Sequence, residues 1–410
     1  MTGRLPVAVV GAGVKAPGGT TVDELWAALC AGRATAAPYH DERWGPAPRL
    51  LACSVEGFDP AAYVTAAEAR RMDRSHLLAI GAAQDAVDGV VGAPLPPPER
   101  CAVVCGVGYG VAALVEQQVT TLFDRGLRGI SPLAIPMAMP SSVDAHLSLR
   151  FDFAGPCSTV STACASGADA IGQGVELLRR GAADLVLAGG VDALLTYTIV
   201  SLFLRMEVMS ANVAQPDRAS RPFDIDRDGF VMGEGAGFVV LQRAEDAEAA
   251  GRETLGLVTG YGACAEAHHL VAPDSDGAGA RRAMALALDD ASTAPSAISH
   301  VNAHGTSTRL NDLTEAHALT ALFGGATPPV TAVKGTTGHL IGGSGAVECI
   351  VGLRSLQERL VPPVAGLQAL DPEITLDVVE GAPRTIGPGP CLSSSFGFGG
   401  HDAVLVLRAR

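Results

Sequence analysis

With 410 residues, 48% hydrophobic and 18% charged, the chain has ample material for a large buried core, which argues against disorder. A formal net charge of −14 argues against a nucleic-acid or anionic-membrane surface as its main business. No run approaches the roughly 20 apolar residues that cross a bilayer. The nine cysteines are scattered without a CxxC pair, so they suit neither a disulfide framework nor a zinc site.

In chain order, "PVAVVGAG" (Pro6–Gly13) reads as a buried strand ended by a glycine turn. The segment around it lacks a charged region followed by an apolar stretch and a cleavage site, so a reducing, cytoplasmic compartment is expected. The glycine-rich "VVGAGVKAPGG" lacks the third glycine of a dinucleotide-binding turn, having Ala16 there, and is read instead as a tight strand-to-helix turn. "TTVDELWAALCAGR" is a helix with Thr21 as N-cap. "RCAVVCGVGYG", "ADLVLAGGVDALL" and "GAGFVVLQRA" are further strands, alternating with helices in "SHLLAIGAAQDAVDGV" and "SGADAIGQGVELLRRGA". The charged "RAEDAEAAGRE" (Arg243–Glu253) reads as a connection, after which the pattern restarts. Strands "GLVTGYGA", "HVNAHGT" and "DAVLVLRA" and helices "GARRAMALALDDA", "LTEAHALTALFG" and "GSGAVECIVGLRSLQER" make up the second half. Two α/β halves, 1–248 and 249–410, are therefore expected, without an exact internal repeat.

Three segments carry chemistry. "VSTACASGADAIGQG" sets Cys164 before a helix, where N–H groups and the macrodipole favour a thiolate and lower its pKa. Ala163, Ala165, Ser166 and Gly167 would leave a substrate room to reach the sulfur; the alternative is a cysteine that merely packs. "VNAHGTSTRLND" holds His304, and "AVKGTTGHLIGGSGAVE" holds Lys334, His339 and Glu348. Each histidine stands where strand meets loop, a usual place for catalytic groups. Only Lys15 and Lys334 among 29 basic residues are lysines, so a lysine inside this motif is notable: ammonium and guanidinium do different work.

Together with "RPFDIDRDGFVMGEGAG" and "SSSFGFGGHDAVLVL", these motifs resemble, in order and over the whole chain, the β-ketoacyl synthases of fatty acid and polyketide synthesis. The resemblance is to the free-standing 3-oxoacyl-[acyl-carrier-protein] synthase II type and the related type II polyketide ketosynthases. It implies the thiolase fold, two similar halves forming five α-β-α-β-α layers with mixed sheets. It implies Cys164 as acyl-accepting nucleophile, and His304 and His339 as oxyanion donors from Nε2 in decarboxylative condensation with malonyl-acyl carrier protein. Lys334, paired with Glu348, would orient and polarise the site, with direct proton transfer as the alternative. The backbone N–H groups of Cys164 and Phe398 would form a second oxyanion hole. Phe398, between glycines, matches a gating residue or a plain turn carrying a core aromatic. Phe203 and Phe230 would line the acyl pocket or serve as core. His269 matches a family loop position to which no chemistry is given.

No cofactor or metal is implied. The implied partners are an acyl carrier protein, met by Arg70, Arg71 and Arg128, and a second subunit, identical or chain-length-factor-like. Departures are Glu207 at a basic position, Ser141, Gly335 and His401; they suggest a specialised substrate and favour polyketide over fatty acid elongation. A housekeeping fatty acid synthase is the alternative. A chain length factor would lack Cys164, and a thiolase would carry a second cysteine where Phe398 stands.

Overall fold

The computed structural model describes residues 5–45 and 50–410. Ten strands build the frame: β1 (Val7–Lys15), β2 (Cys101–Gly106), β3 (Cys157–Val160), β4 (Leu185–Ala193), β5 (Met232–Arg243), β6 (Gly256–Ala265), β7 (His300–Asn302), β8 (Val330–Thr331), β9 (Cys391–Gly397) and β10 (His401–Arg408). The first five run in the order β3-β2-β4-β5-β1 and the second five in the order β8-β7-β9-β10-β6. In each set the first two pairings are parallel and the last two antiparallel. The halves are thus one topology used twice, joined where Val7–Val9 meets Gly256–Val258 antiparallel.

Five helices complete the layers: α1 (Arg74–Asp88), α2 (Ser166–Arg179), α3 (Ala278–Asp290), α4 (Arg309–Phe323) and α5 (Ser344–Glu358). Helix α1 covers the outer face of the first sheet, and α3 with α4 covers the second. Helices α2 and α5, one from each half, pack on each other and on both sheets. They are buried almost all round, as a helix between two sheets must be. Their apolar residues join Val7, Val186, Leu241 and Leu405 in one central core.

The sequence reading placed a turn at Gly11–Gly13, and here the structure differs. Strand β1 runs straight through both glycines to Lys15. A Cβ on Gly11 or Gly13 would lie 2.1 Å from the carbonyl oxygen of Ala86 or Ala82 on α1. The second half repeats the device: Cβ atoms on Gly260 and Gly262 of β6 would lie 2.2 and 2.3 Å from backbone atoms of Ala287 on α3. The glycines bring helix backbone onto strand backbone rather than turning the chain.

Candidate active site

Cys164 lies in a single 3₁₀ turn, Ala163–Ala165, that feeds directly into α2. Ala163 before it adopts φ +49°, an unfavourable left-handed conformation that turns the chain sharply out of β3. His304 follows β7, and His339 follows the short helix Lys334–Thr337 before α5. Since α2 and α5 occupy equivalent places in the two halves and their N-termini touch, the residues just before them meet. His339 Nε2 lies 3.0 Å from Cys164 Sγ, and the His304 and His339 rings are 5.5 Å apart, edge to face.

The small residues around Cys164 act differently from the sequence expectation. A Cβ on Gly167 would lie 2.7 Å from the Gly342 oxygen and 2.8 Å from the Ala346 nitrogen. Ala165 is wholly buried. These side chains are small so that two helix N-termini can touch; they do not open a path to the sulfur. The thiol and both imidazoles instead lie at the wall of a pocket lined by Phe203, Phe230, Ile341, Phe396 and Phe398 among others. Phe203 and Phe230 stack edge to face at 5.7 Å, and Phe230 stands 5.4 Å from the His339 ring.

Hydrogen-bond partners decide where the imidazole protons sit. Lys334 Nζ donates to the His304 carbonyl at 2.5 Å, to Glu348 Oε1, and lies 3.3 Å from His304 Nδ1. An ammonium has only donors, so His304 Nδ1 accepts and Nε2 keeps the proton. Ile341 N–H lies 3.3 Å from His339 Nδ1, with Ser344 Oγ 3.2 Å from the same atom. That nitrogen also accepts, and His339 likewise carries its proton on Nε2. Burial, with the Lys334 charge adding to it, holds both imidazoles well below their usual pKa and therefore neutral.

The thiol departs from expectation. Only 6% exposed, Cys164 is pushed up to about 12 by burial. Lys334 and the Phe398 N–H, directed at the sulfur, act the other way without cancelling the desolvation. At neutral pH the resting group is a thiol.

Sγ and ring nitrogens of Cys164, His304 and His339 lie within 4.8 Å of one another, close enough for a metal's first shell. The donor chemistry does not fit one: Nε2–H protons, rather than lone pairs, belong to the Nδ1-accepting tautomers.

Four residues of the site escaped the sequence reading. Glu315 on α4 accepts the N–H groups of His304 and Gly305, each at 2.8 Å, and so fixes the His304 turn. Ser344 and Asp192 fasten the His339 turn, and the Phe396 ring meets His304 edge to face at 5.7 Å. Carboxylates in "LTEAHALT" and "GGVDALL" carry no sequence signal of burial. Gly335, a departure from the family pattern, has no room for a side chain: its Cβ would lie 2.2 Å from the Ala365 oxygen. His269 lines the pocket and accepts the Val271 and Ala272 N–H groups at 3.1 and 3.0 Å, an anchor for its own loop. Arg70, Arg71 and Arg128 stand exposed and do not line the pocket.

A duplicated thiolase-fold chain that closes a cysteine and two neutral histidines into an apolar pocket defines a condensing enzyme built for acyl thioesters. The chain belongs to the β-ketoacyl synthase family: the family's N-terminal domain model matches residues 4–247 and its C-terminal domain model residues 255–368. It is a ketosynthase, an acyl-transferring enzyme of the thiolase superfamily. Among curated relatives, 3-oxoacyl-[acyl-carrier-protein] synthase 2 of Synechocystis sp. is 37% identical over 405 residues, 98% of this chain and 97% of that one. Among solved structures, the ishigamide ketosynthase/chain length factor superposes with a TM-score of 0.91 at 32% identity, covering 99% of this chain and 100% of that one. A type II PKS acyl-carrier protein complex with its ketosynthase bound to the hexaketide also gives 0.91, at 27% identity and the same coverage. Among the described residues no helix is long and apolar enough to cross a membrane.

Proposed function

We propose that this ketosynthase extends a Cys164-bound acyl chain by decarboxylative Claisen condensation with malonyl-acyl carrier protein, in polyketide elongation. The observation that carries the reading is the 3.0 Å contact between Cys164 Sγ and His339 Nε2, with His304 beside it. In acylation, Cys164 sulfur displaces the carrier thiol from its thioester, and the thiol proton leaves with the carrier. Backbone N–H groups of Cys164 and Phe398 meet the oxygen that gains charge. In condensation, malonyl thioester loses CO₂, and the electron pair of the broken C–C bond forms an enolate. Nε2–H groups of His304 and His339 donate to the enolate oxygen. The enolate carbon attacks the acyl carbonyl and the C–S bond breaks, leaving the product on the carrier and Cys164 as a thiolate, which takes up one proton from solvent to return to the resting thiol.

The nucleophile comes from the 1–248 half and the histidines and Lys334 from the 249–410 half. Lys334 orients His304 through its carbonyl and Nδ1 contacts, while Glu348 balances the charge. Phe398 gates the pocket: Gly399 and Gly400 beside it, at φ +85° and +72°, give that loop its conformational freedom. Phe203 and Phe230 line the acyl channel. An acidic carrier docks near Arg70, Arg71 and Arg128, and the enzyme works as a dimer with an identical or chain-length-factor-like subunit. Nine unpaired thiols suit a reducing, cytoplasmic compartment.

A solved relative whose name places it in a type II PKS favours that pathway, as do the departures at Ser141, His401 and Glu207. The second reading, fatty acid elongation, is favoured by the curated relatives' name. Intact-mass spectrometry with acyl carrier-protein thioesters from C2 to C12 tests the chemistry. One acyl addition, lost in Cys164→Ala, is expected, and the preferred chain identifies the substrate class. Acylation that survives Cys164→Ala rejects the nucleophile.

A further inference from the structure

Asp192 closes β4 and is wholly buried. Its carboxylate accepts four backbone N–H groups from two loops. Oδ2 takes Gly108 at 2.9 Å and Gly342 at 2.8 Å; Oδ1 takes Tyr109 at 3.3 Å and Gly110 at 3.1 Å. The receptor is shaped for this: a Cβ on Gly108 or Gly342 would lie 2.6 or 2.7 Å from Oδ2. Burial pushes the Asp192 carboxyl up to about 6, so at pH 7.5 it is still ionised and able to accept all four.

The turn it holds contacts the reacting groups. Ile341, adjacent to Gly342, sits at φ +49°, a strained conformation for a β-branched residue. Such a conformation persists only where its surroundings over-determine it, and the bond from Gly342 N–H to Asp192 supplies that hold. The same turn points Ile341 N–H at His339 Nδ1, while the other side of the ring faces Cys164.

We propose that Asp192 is a positioning residue for condensation: by fastening the Ile341–Gly342 turn it keeps Ile341 N–H on Nδ1 of His339 and the ring proton on Nε2, facing the reacting oxygen. The inference rests on the oxyanion-donor role given to His339 above. A loosened turn frees Nδ1 to take the proton, which leaves a lone pair on Nε2 opposite the enolate. Acylation, whose oxygen charge meets backbone N–H groups, does not need that proton.

Asp192→Asn keeps the shape but puts an NH₂ where an acceptor is needed. The test uses full-length enzyme labelled with ¹⁵N-histidine. The His339 tautomer is read by long-range ¹H–¹⁵N correlation and assigned with His339→Asn. Intact mass reads acylation from hexanoyl carrier protein, and product mass reads condensation with malonyl carrier protein. Wild type is expected to show His339 protonated on Nε2. Asp192→Asn is expected to move proton onto Nδ1, keep acylation, and lose condensation by about 100- to 1,000-fold, the range for one lost oxyanion donor. An unchanged tautomer with unchanged condensation in the variant overturns the proposal. So does a wild-type His339 protonated on Nδ1, a result that stands even if the variant does not fold. Failure of wild type to acylate at Cys164 counts against the ketosynthase chemistry instead.

Discussion

At the scale of single residues, the two lysines tell the most. Lys15 and Lys334 are each 1% exposed. Lys15 Nζ reaches Asp85 at 2.5 Å, and Lys334 pairs with Glu348. Both sit where a compact ammonium fits, in a chain that otherwise uses arginine. Removing one member of a buried pair strands the other's charge, a cost of about 3–5 kcal/mol, whereas replacing both with apolar groups is often nearly neutral. Lys334→Met is therefore expected to destabilise by about that much. Lys334→Met with Glu348→Leu should recover most of the loss. Urea denaturation of the two single variants and the double reads the coupling, and equal losses in Lys334→Met and the double variant would count against a paired charge. The lysine was legible from composition because a rare residue type in a glycine-rich motif is conspicuous. Glu315 and Asp192 were not legible. A carboxylate on a helix or near a strand end usually means a wet face, and only the fold shows that Glu315 accepts N–H groups from the turn just before its own helix and Asp192 from turns far along the chain.

Between elements, the contact of α2 with α5 decides whether a site exists at all. Most strands and helices were readable from periodicity and glycine stops, and the motifs beside Cys164, His304 and His339 were found in order. What glycine meant was misread twice, as a turn in β1 and as open access to the sulfur in α2, because a glycine that lets backbones touch looks the same in sequence as one that turns the chain or leaves space. The packing sense makes a prediction. Gly167→Ala adds a helix-favouring methyl, worth up to about 1 kcal/mol in an exposed helix. Here that methyl's nearest neighbours are backbone atoms, Gly342 O at 2.7 Å and Ala346 N at 2.8 Å, with Ala346 Cβ next at 3.2 Å, and none of them can yield cheaply. The variant should lose about 1–3 kcal/mol net and slow Cys164 acylation, since Cys164 lies three residues before the clash. Gly174→Ala, in the same helix, meets no backbone atom so closely: its nearest neighbours are side-chain atoms of Leu241 at 3.1 Å and of Ala188 and Val186 at 3.2 Å, a milder contact that serves as the control. Thermal melts and acylation rates of the pair decide the matter, and equal behaviour would mean that the helix contact is not the constraint.

Across the whole molecule, buried carboxyls set the pH response. Burial pushes Asp192, Glu315 and Asp402 up to about 6, 7 and 8. For an acid whose folded pKa is raised, the folded state holds the proton more tightly than the unfolded chain. That stabilisation is complete below the ordinary carboxylate range and is lost as pH rises through the folded value. Asp184 works in the opposite sense: Arg100 and Arg243 hold it low, so its contribution is lost only in acid. The alkaline side therefore belongs to the buried acids, Asp402 last. Asp402 lines the pocket beside Glu266, and a Cβ on Gly279 would lie 2.7 Å from Asp402 Oδ2 and 2.5 Å from Glu266 Cγ. Two carboxyls in so small a space disfavour a second negative charge, and Arg282, the cation acting on Asp402, does not offset burial. Asp402→Asn fixes the neutral form. Wild-type Tm should fall from pH 6 to about pH 8 and level off toward pH 9, the variant's should fall less, and above pH 8 the variant should be the more stable of the two. Parallel Tm curves over that range would show that Asp402 does not titrate there.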